Sequence, residues 1–440
     1  MMTEQMRKPP CEFSGLSLIV GLGASGTSAA RYIHAQGGAL RVIDSRSTPP
    51  GLAEVSALGA EVITESLDAR LLDGADRLVL SPGLSIDLPI CSQARARGIE
   101  IINDIEIFAR VCEAPIVAVT GSNGKSTVVT ALERMLVAGG MDAAAGGNLS
   151  PPALDLLERE ADLYVLEISS FQMEAADSLS PLSAAVLNVS ADHLDRHLDI
   201  EHYASLKEKL LHGAQTAVIN ADDPRVRAMG ARHGNTIEFS VEQPLERGYS
   251  IVEEAIAIDG QAVLPVAELA MQGRHNAANA LAALALAGTC ADALEPMLEA
   301  LRQFKGLPHR CELVATIDGV RYINDSKATN TGATAAALAG LQGPIVLIAG
   351  GVGKGADFTE LREFVRGKVR ASVVLGESAS ELTAVLEDLC PVLQAQNMDE
   401  AVVLASEQSR TGDRVLLSPA CASLDMFADY MERGRAFTDA

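Results

Sequence analysis

The sequence predicts an α/β protein that is divided into three domains. Three times, an apolar run typical of a β-strand leads into a glycine-rich turn and then into a helical pattern: LSLIVGLGASG, PIVAVTGSNGKST and PIVLIAGGVGKG. A chain of 440 residues, 48% of them hydrophobic, is also too long for one ordinary core. We therefore expect a separate α/β unit around each of these turns.

The first domain is expected to span residues 1–112. Between Leu16 and Leu80 the apolar runs SLIV, LRVID and RLVL alternate with helical segments, which indicates a doubly wound parallel sheet. The glycines of GLGASG have the spacing GxGxxG, and Asp44 ends the next strand. Taken alone, this pattern is typical of a Rossmann-like dinucleotide site.

Two interpretations of this first turn stay open. Its glycines could bind the diphosphate of NAD, or they could merely permit a tight crossing from strand to helix. Under either interpretation the helix N-terminus, with Ser45 and Arg46, could receive a nucleotide diphosphate that is not NAD.

The second glycine-rich turn opens a central domain, which we place at residues 113–306 because residues 113–115 interrupt the preceding pattern. Its sequence VTGSNGKST lies between a strand-like and a helical segment, as in P-loop ATPases. Gly121 and Gly124 let backbone N–H groups approach a polyphosphate, Lys125 reaches its terminal phosphates, and Ser126 can ligate Mg²⁺. Val119 stands where the general motif has its first glycine, so a plain Gly-Lys turn is the alternative, but the flanking pattern favours nucleotide binding.

A carboxylate is predicted at the end of a buried strand in this domain. The segment ADLYVLEISSFQ places Glu167 there, where a charge is costly unless it meets a cation or a hydrogen-bond donor. We interpret Glu167 as a metal ligand.

Histidines follow the next apolar run, AAVLNVSADHLDRH. His193 and His197 have the i, i+4 spacing of a zinc pair, but the glutamate of HExxH is missing and no thiolates are near in sequence. We prefer His193 as a single metal ligand or phosphate-side donor. For His197, His202, His212 and His233 we expect a solvated surface.

Composition restricts the partners. The net charge of −23 argues against nucleic acid and anionic membranes, so any phosphate must be held by local donors. The N-terminus has no apolar signal region and no later apolar run has membrane-spanning length, which predicts a cytoplasmic protein without membrane insertion. The seven scattered cysteines suggest core residues and neither disulfides nor a zinc site.

Several segments in a fixed order resemble the Mur ligases over nearly the whole chain. GSNGKST looks like the ATP loop of that family, LEISSFQ like its metal-binding glutamate strand and NVSADHLDRH like its metal-binding histidine segment. GRHNAANALAA, GLPHRCE, NDSKATN and SPACASLDMF then follow in the family's order. The resemblance implies a third, Rossmann-like domain at residues 307–440, and within the family these segments look like the branch that adds D-glutamate.

The resemblance also implies roles for individual residues. Catalysis would use Lys125, Glu167, His193 and Lys207, of which Lys207 would be carbamylated; the metal ligands would be Ser126, Glu167, His193 and the Lys207 carbamate. ATP would meet Gly121, Ser122, Asn123, Gly124, Lys125, Ser126, Thr127, Asn276, Asn279, Arg310 and Asp325. The UDP-sugar would meet Ser25, Asp44, Ser45, Arg46, Ser81, Gly83 and Asn148, and D-glutamate would meet Lys327, Thr329, Lys354, Ser423, Leu424 and Tyr430.

The sequence departs from the family pattern in places. GGNLS replaces a GNIG-like run, Val352 stands where an acidic residue is common, and Tyr430 stands where we expect Phe. These differences affect the expected substrate contacts and leave the expected reaction unchanged.

The implied activity is an ATP- and Mg²⁺-dependent ligation by a monomer. The carboxylate of UDP-N-acetylmuramoyl-L-alanine would attack the γ-phosphate of ATP, and D-glutamate would capture the resulting acyl phosphate. The alternatives are another Mur ligase, a folylpolyglutamate synthase-like ligase, an NAD-dependent dehydrogenase built on GLGASG and Asp44, and a non-catalytic nucleotide-binding module. The dehydrogenase alternative leaves GSNGKST and the metal residues unexplained.

Overall fold

The computed structural model of the chain describes residues 13–192, 196–271 and 273–440. Over these residues the strands form three sheets, with five, nine and six strands in chain order. None of the described helices combines the length and the hydrophobicity that crossing a bilayer requires.

The N-terminal sheet is parallel, with strand order β3-β2-β1-β4-β5. Its strands are β1 (Leu16–Val20), β2 (Ala39–Ile43), β3 (Glu61–Ile63), β4 (Arg77–Leu80) and β5 (Glu100–Ile102). Its helices are α1 (Ala24–Ala35), α2 (Leu52–Ala57), α3 (Pro89–Ala96) and α4 (Asp104–Val111). The chain order reverses at β1, so the first glycine-rich turn lies at the switch point where such sheets bind ligands.

The central sheet has the order β14-β13-β12-β11-β10-β9-β6-β8-β7. Its strands are β6 (Ile116–Thr120), β7 (Ala143–Gly147), β8 (Leu163–Glu167), β9 (Ser183–Val186), β10 (Thr216–Asn220), β11 (Thr236–Ser240), β12 (Tyr249–Val252), β13 (Ala255–Ile258) and β14 (Gln261–Pro265). Its helices are α5 (Lys125–Ala138), α6 (Ser170–Met173), α7 (Ile200–His212), α8 (Pro224–Gly230), α9 (Arg274–Ala287) and α10 (Leu294–Gln303). Across the sheet from β7 through β6 to β12, neighbouring strands pair in parallel. Strands β12, β13 and β14 form an antiparallel meander that the sequence did not lead us to expect.

The C-terminal sheet has the order β15-β16-β20-β17-β18-β19 and is parallel except for the β15/β16 hairpin. Its strands are β15 (Glu312–Ile317), β16 (Val320–Asn324), β17 (Ile345–Gly350), β18 (Val369–Leu375), β19 (Val392–Gln394) and β20 (Arg414–Leu417). Its helices are α11 (Thr331–Gly340), α12 (Arg362–Val365), α13 (Ala379–Leu386), α14 (Met398–Gln408) and α15 (Tyr430–Asp439).

Burial explains why the strands read as continuous apolar runs. Strands β6, β8 and β17 are buried at every residue because helices cover both faces of their sheets. Short 3-10 turns complete the connections at Ala69–Leu72, Ala153–Glu158, Val266–Glu268 and Phe358–Leu361. The three-part α/β architecture is thereby confirmed, while the exact boundaries after residues 112 and 306 stay predictions.

Four of the described cysteines are core residues, as expected. Cys91, Cys112, Cys390 and Cys421 are buried, Cys290 and Cys311 are partly buried, and all six are free thiols. Cys11 lies outside the described residues.

Candidate functional site

Two adjoining cavities lie where the central and C-terminal domains meet. The larger, of about 320 Å³, is lined by predicted nucleotide residues: Asn123, Gly124, Thr127, Asn276, Asn279, Arg310 and Asp325. The smaller, of about 160 Å³, is lined by Ser122, Lys125, Ser126, Asn148, Glu167, Lys207, Lys327 and Thr329, among others. We call the larger one the nucleotide cavity and the smaller one the reactive cavity; they share Asn123, Gly124, Arg310 and Lys327.

The glycine-rich loop after β6 is shaped to hold phosphate. Gly124 has φ +88° where it caps α5, and a Cβ there would lie 2.4 Å from Asn279 Oδ1, so glycine is required. The Asn123 N–H donates to Asn188 Oδ1 at 2.8 Å, which fixes the loop against the end of β9. Lys125 Nζ donates to the carbonyl oxygens of Gly121 and Ser122 at 2.7 and 2.9 Å, and burial lowers its pKa.

Glu167 ends β8 and is 3% exposed. Its Oε1 accepts a 2.6 Å hydrogen bond from Asn148 Nδ2. Its Oε2 is buried without a hydrogen-bond partner within the described part of the chain. An unsatisfied buried carboxylate oxygen is costly, and a hard cation such as Mg²⁺ is the partner that its chemistry fits.

The described residues contain no cluster of three or more His, Cys, Asp or Glu side chains arranged around a metal position. The predicted ligand set differs from such a cluster, because it combines Glu167 with a serine and a lysine carbamate. The predicted ligand His193 lies outside the described residues.

Lys207 lies on α7 and is 1% exposed. Its Nζ donates to the Gly121 carbonyl oxygen at 2.9 Å and lies 4.1 Å from the Tyr203 ring centroid. Burial and then the charge of Lys125 move its pKa well below the ordinary value. The lysine selected by the resemblance therefore reaches the phosphate loop, whereas Lys209 Nζ donates instead to Met173 O at 2.8 Å.

The prediction of a solvated surface is wrong for His197, which is 3% exposed. Its ring stacks on Phe171 with centroids 5.1 Å apart, packs against Tyr203, and its Nε2 lies 3.0 Å from Ser170 Oγ. It is buried because α6 and α7 bring aromatic rings around it. His212 is exposed, and His202 and His233 are partly buried.

The C-terminal domain contributes to the nucleotide cavity as the resemblance implied. Arg310 Nη2 donates to Ser126 Oγ at 2.8 Å, so a guanidinium from one domain lies on the phosphate loop of another. Asp325 accepts from Cys311 N at 3.1 Å and from Ser418 Oγ at 2.8 Å, and burial raises its pKa to about 7.

Most predicted UDP-sugar residues lie on the N-terminal domain and do not line either cavity. Ser25, Ser45, Arg46, Ser81 and Gly83 follow the carboxyl ends of β1, β2 and β4, whereas Asn148 lines the reactive cavity. The UDP-sugar site stays a prediction, with Asn148 as its one predicted residue in the lining of the reactive cavity.

Asp44 does not present a free acceptor to a ribose. Its Oδ2 accepts from Leu22 N at 2.8 Å and from Arg46 Nη2 at 2.7 Å, and its Oδ1 accepts from Arg46 N and Nε at 2.8 and 2.9 Å. These hydrogen bonds, those of Arg46 foremost, lower its pKa to about 2 despite burial. Since a dinucleotide site needs this carboxylate for the ribose hydroxyls, the geometry disfavours NAD.

Of the predicted amino-acid residues, all of which belong to the C-terminal domain, Lys327 and Tyr430 lie in contact. Lys327 Nζ lies 4.0 Å from the Tyr430 ring centroid, and burial, with the nearby charge of Arg310, lowers its pKa to about 8. Val352 and Ala422 exchange two 2.9 Å backbone hydrogen bonds, which hold the turn that carries Lys354 beside Ser423. Ser423 is 4% exposed, while Leu424 is 71% exposed.

Sequence reasoning missed several residues of the reactive cavity, including Phe171, Tyr203 and Asn330. Tyr203 precedes Lys207 by one helical turn, so the helical spacing alone could have indicated that the two side chains share a face. Asn330 caps α11 by accepting a hydrogen bond from Ala333 N. Its side chain also donates to Asp192 Oδ2 of the central domain at 2.9 Å, a contact that no sequence pattern near either residue indicates.

Family models match most of the chain. The Mur ligase MurD-like N-terminal domain matches residues 16–103, the Mur ligase middle domain matches residues 119–287, and the Mur ligase glutamate ligase domain matches residues 309–421. The UDP-N-acetylmuramoylalanine–D-glutamate ligase of Nitrosococcus oceani is 46% identical over 438 residues, which cover 98% of this chain and 97% of that one. The ligase of the same name from Pseudomonas aeruginosa is 46% identical over 96% of this chain and 97% of its own.

Solved structures share the fold. A pseudomurein peptide ligase type C from Methanothermus fervidus superposes with a TM-score of 0.61 at 20% identity, covering 92% of this chain and 96% of that chain. The UDP-N-acetylmuramate-alanine ligase from Thermotoga maritima superposes with a TM-score of 0.61 at 19% identity, covering 97% of this chain and 98% of that chain. With these matches over its whole length, the chain belongs to the Mur ligase family.

Proposed function

We propose that this chain is the ATP-dependent ligase that adds D-glutamate to UDP-N-acetylmuramoyl-L-alanine during peptidoglycan precursor synthesis. The reactive cavity carries the proposal: the cationic side chains of Lys125, Lys327 and Arg310 line it together with two carboxylates, Glu167 and Asp192. A chain of net charge −23 thus concentrates cationic side chains at one place. Relatives of that name at 46% identity support this substrate pair.

The cationic lining fits the physical problem of the reaction. A carboxylate and a triphosphate repel each other, so local positive charge and alignment must offset that repulsion. The loop N–H groups and Lys125 hold the phosphates, and Arg310 brings a further charge from the C-terminal domain onto the loop at Ser126. Asn276 and Asn279 of the nucleotide cavity bind the adenine end.

Mg²⁺ belongs to the proposed site because Glu167 Oε2 is buried without a partner among the described residues. The proposed ligands are Ser126, Glu167, His193 and Lys207 as a carbamate. When bound, the ion neutralises phosphate charge. The carbamate forms when the neutral Lys207 amine adds to CO₂ and releases a proton, which changes the side chain from neutral to anionic.

The reaction then proceeds by two substitutions. A carboxylate oxygen of the UDP-linked substrate attacks the γ-phosphorus, and ADP leaves. The D-glutamate amine attacks the acyl carbon of the acyl phosphate, phosphate leaves and a proton is released. The residues that hold D-glutamate are Lys327, Thr329, Lys354, Ser423, Leu424 and Tyr430. The residues that hold the UDP-sugar are Ser25, Ser45, Arg46, Ser81, Gly83 and Asn148, and Asp44 acts with them by holding the Arg46 side chain.

One chain contains all three proposed substrate sites, so we propose a monomer that acts in the cytoplasm, where ATP is available. The three sites lie on three domains, and the contacts of Arg310 and Asn330 with the central domain support closure during turnover.

A release assay for ADP tests the proposal. Wild-type protein with Mg²⁺-ATP receives L-alanine, D-glutamate, diaminopimelate or lysine, each with its cognate UDP precursor. We expect ADP release only with D-glutamate and UDP-N-acetylmuramoyl-L-alanine. Preference for another amino acid assigns the chain to another branch of the family, and no ADP release with any pair overturns the proposal.

A further inference from the structure

Arg196 connects the N-terminal domain to the wall of the reactive cavity. Its Nη2 donates to Leu84 O at 3.1 Å and to Glu174 Oε2 at 3.2 Å, and its Nη1 donates to Gly83 O at 3.4 Å. Its guanidinium carbon lies 4.7 Å from the Phe171 ring centroid. One side chain, 20% exposed, thus contacts a loop of one domain and two residues of another.

The loop that Arg196 contacts follows β4 and is the proposed UDP-sugar loop, residues 81–84. Leu84 N donates to Ser81 O at 2.9 Å, which closes it as a tight turn. On its other side the first glycine-rich turn packs closely: a Cβ at Gly21, where φ is +96°, would lie 2.8 Å from Ser81 Cβ. The shape of the loop is therefore set by Gly21 on one side and supported by Arg196 on the other.

The other contacts of Arg196 lead to the site of chemistry. Phe171 lines the reactive cavity and also stacks on the buried His197 ring. Glu174, whose side chain is 10% exposed, pairs with Arg196 and so fixes the direction of the guanidinium. Movement of the UDP-sugar loop relative to the reactive cavity would break these contacts.

We propose that Arg196 is a positioning residue that holds the UDP-sugar loop at the distance from the reactive cavity that the UDP-linked substrate requires. The inference rests on the proposed function. Arginine suits the role because its planar group donates in several directions at once while its face packs on an aromatic ring. Lysine has three donors on one small ammonium group and no planar face, so it cannot keep the two carbonyls, Glu174 and the Phe171 ring together.

A plain interdomain contact is the competing explanation, and the chain offers a matched control for it. Arg31 on α1 also joins the two domains, since its Nη2 donates to both oxygens of Asp155 at 2.6 and 2.7 Å. Arg31 contacts neither the UDP-sugar loop nor the lining of the reactive cavity in any described interaction. If interdomain adhesion alone matters, Arg31 and Arg196 variants should behave alike.

The test compares Arg196→Ala, Arg196→Lys and Arg31→Ala with wild type in the ADP-release assay, with each of the three substrates varied in turn. We expect Arg196→Ala to raise the KM of UDP-N-acetylmuramoyl-L-alanine about tenfold or more, with the KM of ATP and of D-glutamate within about twofold. For Arg196→Lys, the logarithm of the KM of UDP-N-acetylmuramoyl-L-alanine should return less than half of the way from the Arg196→Ala value to the wild-type value. Arg31→Ala should change all three KM values by less than about twofold.

Direct titration of the UDP-linked substrate by calorimetry, without ATP, provides a readout that does not depend on turnover. The Arg196→Ala variant should bind it correspondingly more weakly, with a melting temperature no lower than that of Arg31→Ala. Equal rises of all three KM values, or unchanged affinity for the UDP-linked substrate, overturn the inference and leave the proposed function intact. A wild-type protein that releases no ADP overturns both.

Discussion

Lys125 and Lys207 donate hydrogen bonds to the same acceptor, the carbonyl oxygen of Gly121, at 2.7 and 2.9 Å. Two ammonium groups on one buried oxygen repel each other, and burial adds to the cost of both charges. For Lys207, burial and the charge of Lys125 lower the pKa strongly. A lower pKa increases the share of neutral amine, which is the form that reacts with CO₂, so this relationship favours carbamylation.

We expect Lys207→Ala to lose activity by about 100-fold or more, because a carbamate ligand of Mg²⁺ would be removed. Short carboxylates such as acetate or formate should restore part of the activity by filling the vacated anionic position. ADP release measured with increasing carboxylate concentration checks this.

Lys209→Ala is the matched control on the same helix, because Lys209 Nζ bonds to Met173 O and pairs with Asp177 away from the phosphate loop. The rate of ADP release by Lys209→Ala should stay within about threefold of the wild-type rate, and added carboxylates should not change it. A fully active Lys207→Ala without additives would contradict the carbamate.

Glu167→Gln should abolish ligation while preserving the fold. The glutamine carbonyl can still accept the hydrogen bond from Asn148, but the remaining NH₂ replaces the anionic oxygen that is buried without a described partner. We expect turnover to fall by about 100-fold or more at saturating Mg²⁺, with an unchanged circular dichroism spectrum.

Glu133→Gln provides the comparison, since this carboxylate accepts from Ala145 N within the same domain and does not line either cavity. Its activity should remain near normal. Near-normal turnover of Glu167→Gln at high Mg²⁺ would remove Glu167 from the metal site.

Asn330→Asp tests whether closure of the C-terminal domain matters. Aspartate retains the cap at Ala333 N but places a second carboxylate against Asp192, where the amide now donates at 2.9 Å. The repulsion should lower kcat about tenfold or more, and small-angle scattering with an ATP analogue should show a larger radius of gyration than for wild type. Asn330→Ser keeps a helix cap without adding a charge, so it should lower kcat less than Asn330→Asp does. Equal losses of kcat in the two variants would contradict a role of charge repulsion.

Local patterns made much of this molecule predictable. Strands β1, β6 and β17 lead into their glycine-rich turns as expected. A helix begins at the turn after β1 and after β6, whereas the chain after β17 continues to the 3-10 turn Phe358–Leu361. The strand-end position of Glu167 likewise indicated a buried carboxylate in need of a cation. These inferences needed no knowledge of how the domains pack.

Contacts between distant segments were not predictable. The burial of His197 arises from Phe171 and Tyr203, which lie on other segments, and the pair of Asn330 with Asp192 joins residues 138 apart. Their residue types alone suggest solvated surface or helix capping. Tertiary packing gives them their place at the site, within the central domain for His197 and between two domains for Asn330.

The buried carboxyl group of Asp104 should make the stability of the fold depend on pH. It is 1% exposed at the start of α4, and no well-formed hydrogen bond from the described residues reaches either carboxylate oxygen. Burial raises its pKa from 3.8 to about 6, and the nearby Ser25 and Gln172 side chains offset only part of that effect. A raised folded-state pKa means that the folded protein holds the proton more tightly than the unfolded chain, so this group lowers stability as pH rises from about 4 to above 6.

Asp104→Asn should therefore stabilise the protein by up to about 3 kcal/mol at pH 8, by about 1 kcal/mol at pH 4.5 and very little at about pH 3. Melting temperatures of variant and wild type at several pH values check this. Asp318→Asn, at an exposed turn with φ +51° that asparagine also tolerates, should show no growing difference. A constant difference between Asp104→Asn and wild type at all pH values would contradict the prediction.

Lys354→Ala tests the amino-acid pocket. D-glutamate brings two carboxylates into an acidic protein, and the paired backbone of Val352 and Ala422 holds the Lys354 turn beside the buried Ser423. The charge of Lys354 is also close enough to lower the pKa of Lys327, so both ammonium groups face one region. Removing a charge that binds only the incoming amino acid should raise the KM of D-glutamate about tenfold and leave that of ATP within about twofold.

Lys368→Ala is the control for this pocket, because Lys368 Nζ bonds to Ala339 O in the same domain, away from the Lys354 turn. Its three KM values should match those of wild type, which separates a loss of local charge from a change in the net charge of the domain. For Lys354→Ala, an unchanged KM of D-glutamate with a raised KM of ATP would assign the residue to phosphate binding. Lys327 and Thr329, which line the reactive cavity directly, would then hold the amino acid without help from the third glycine-rich turn.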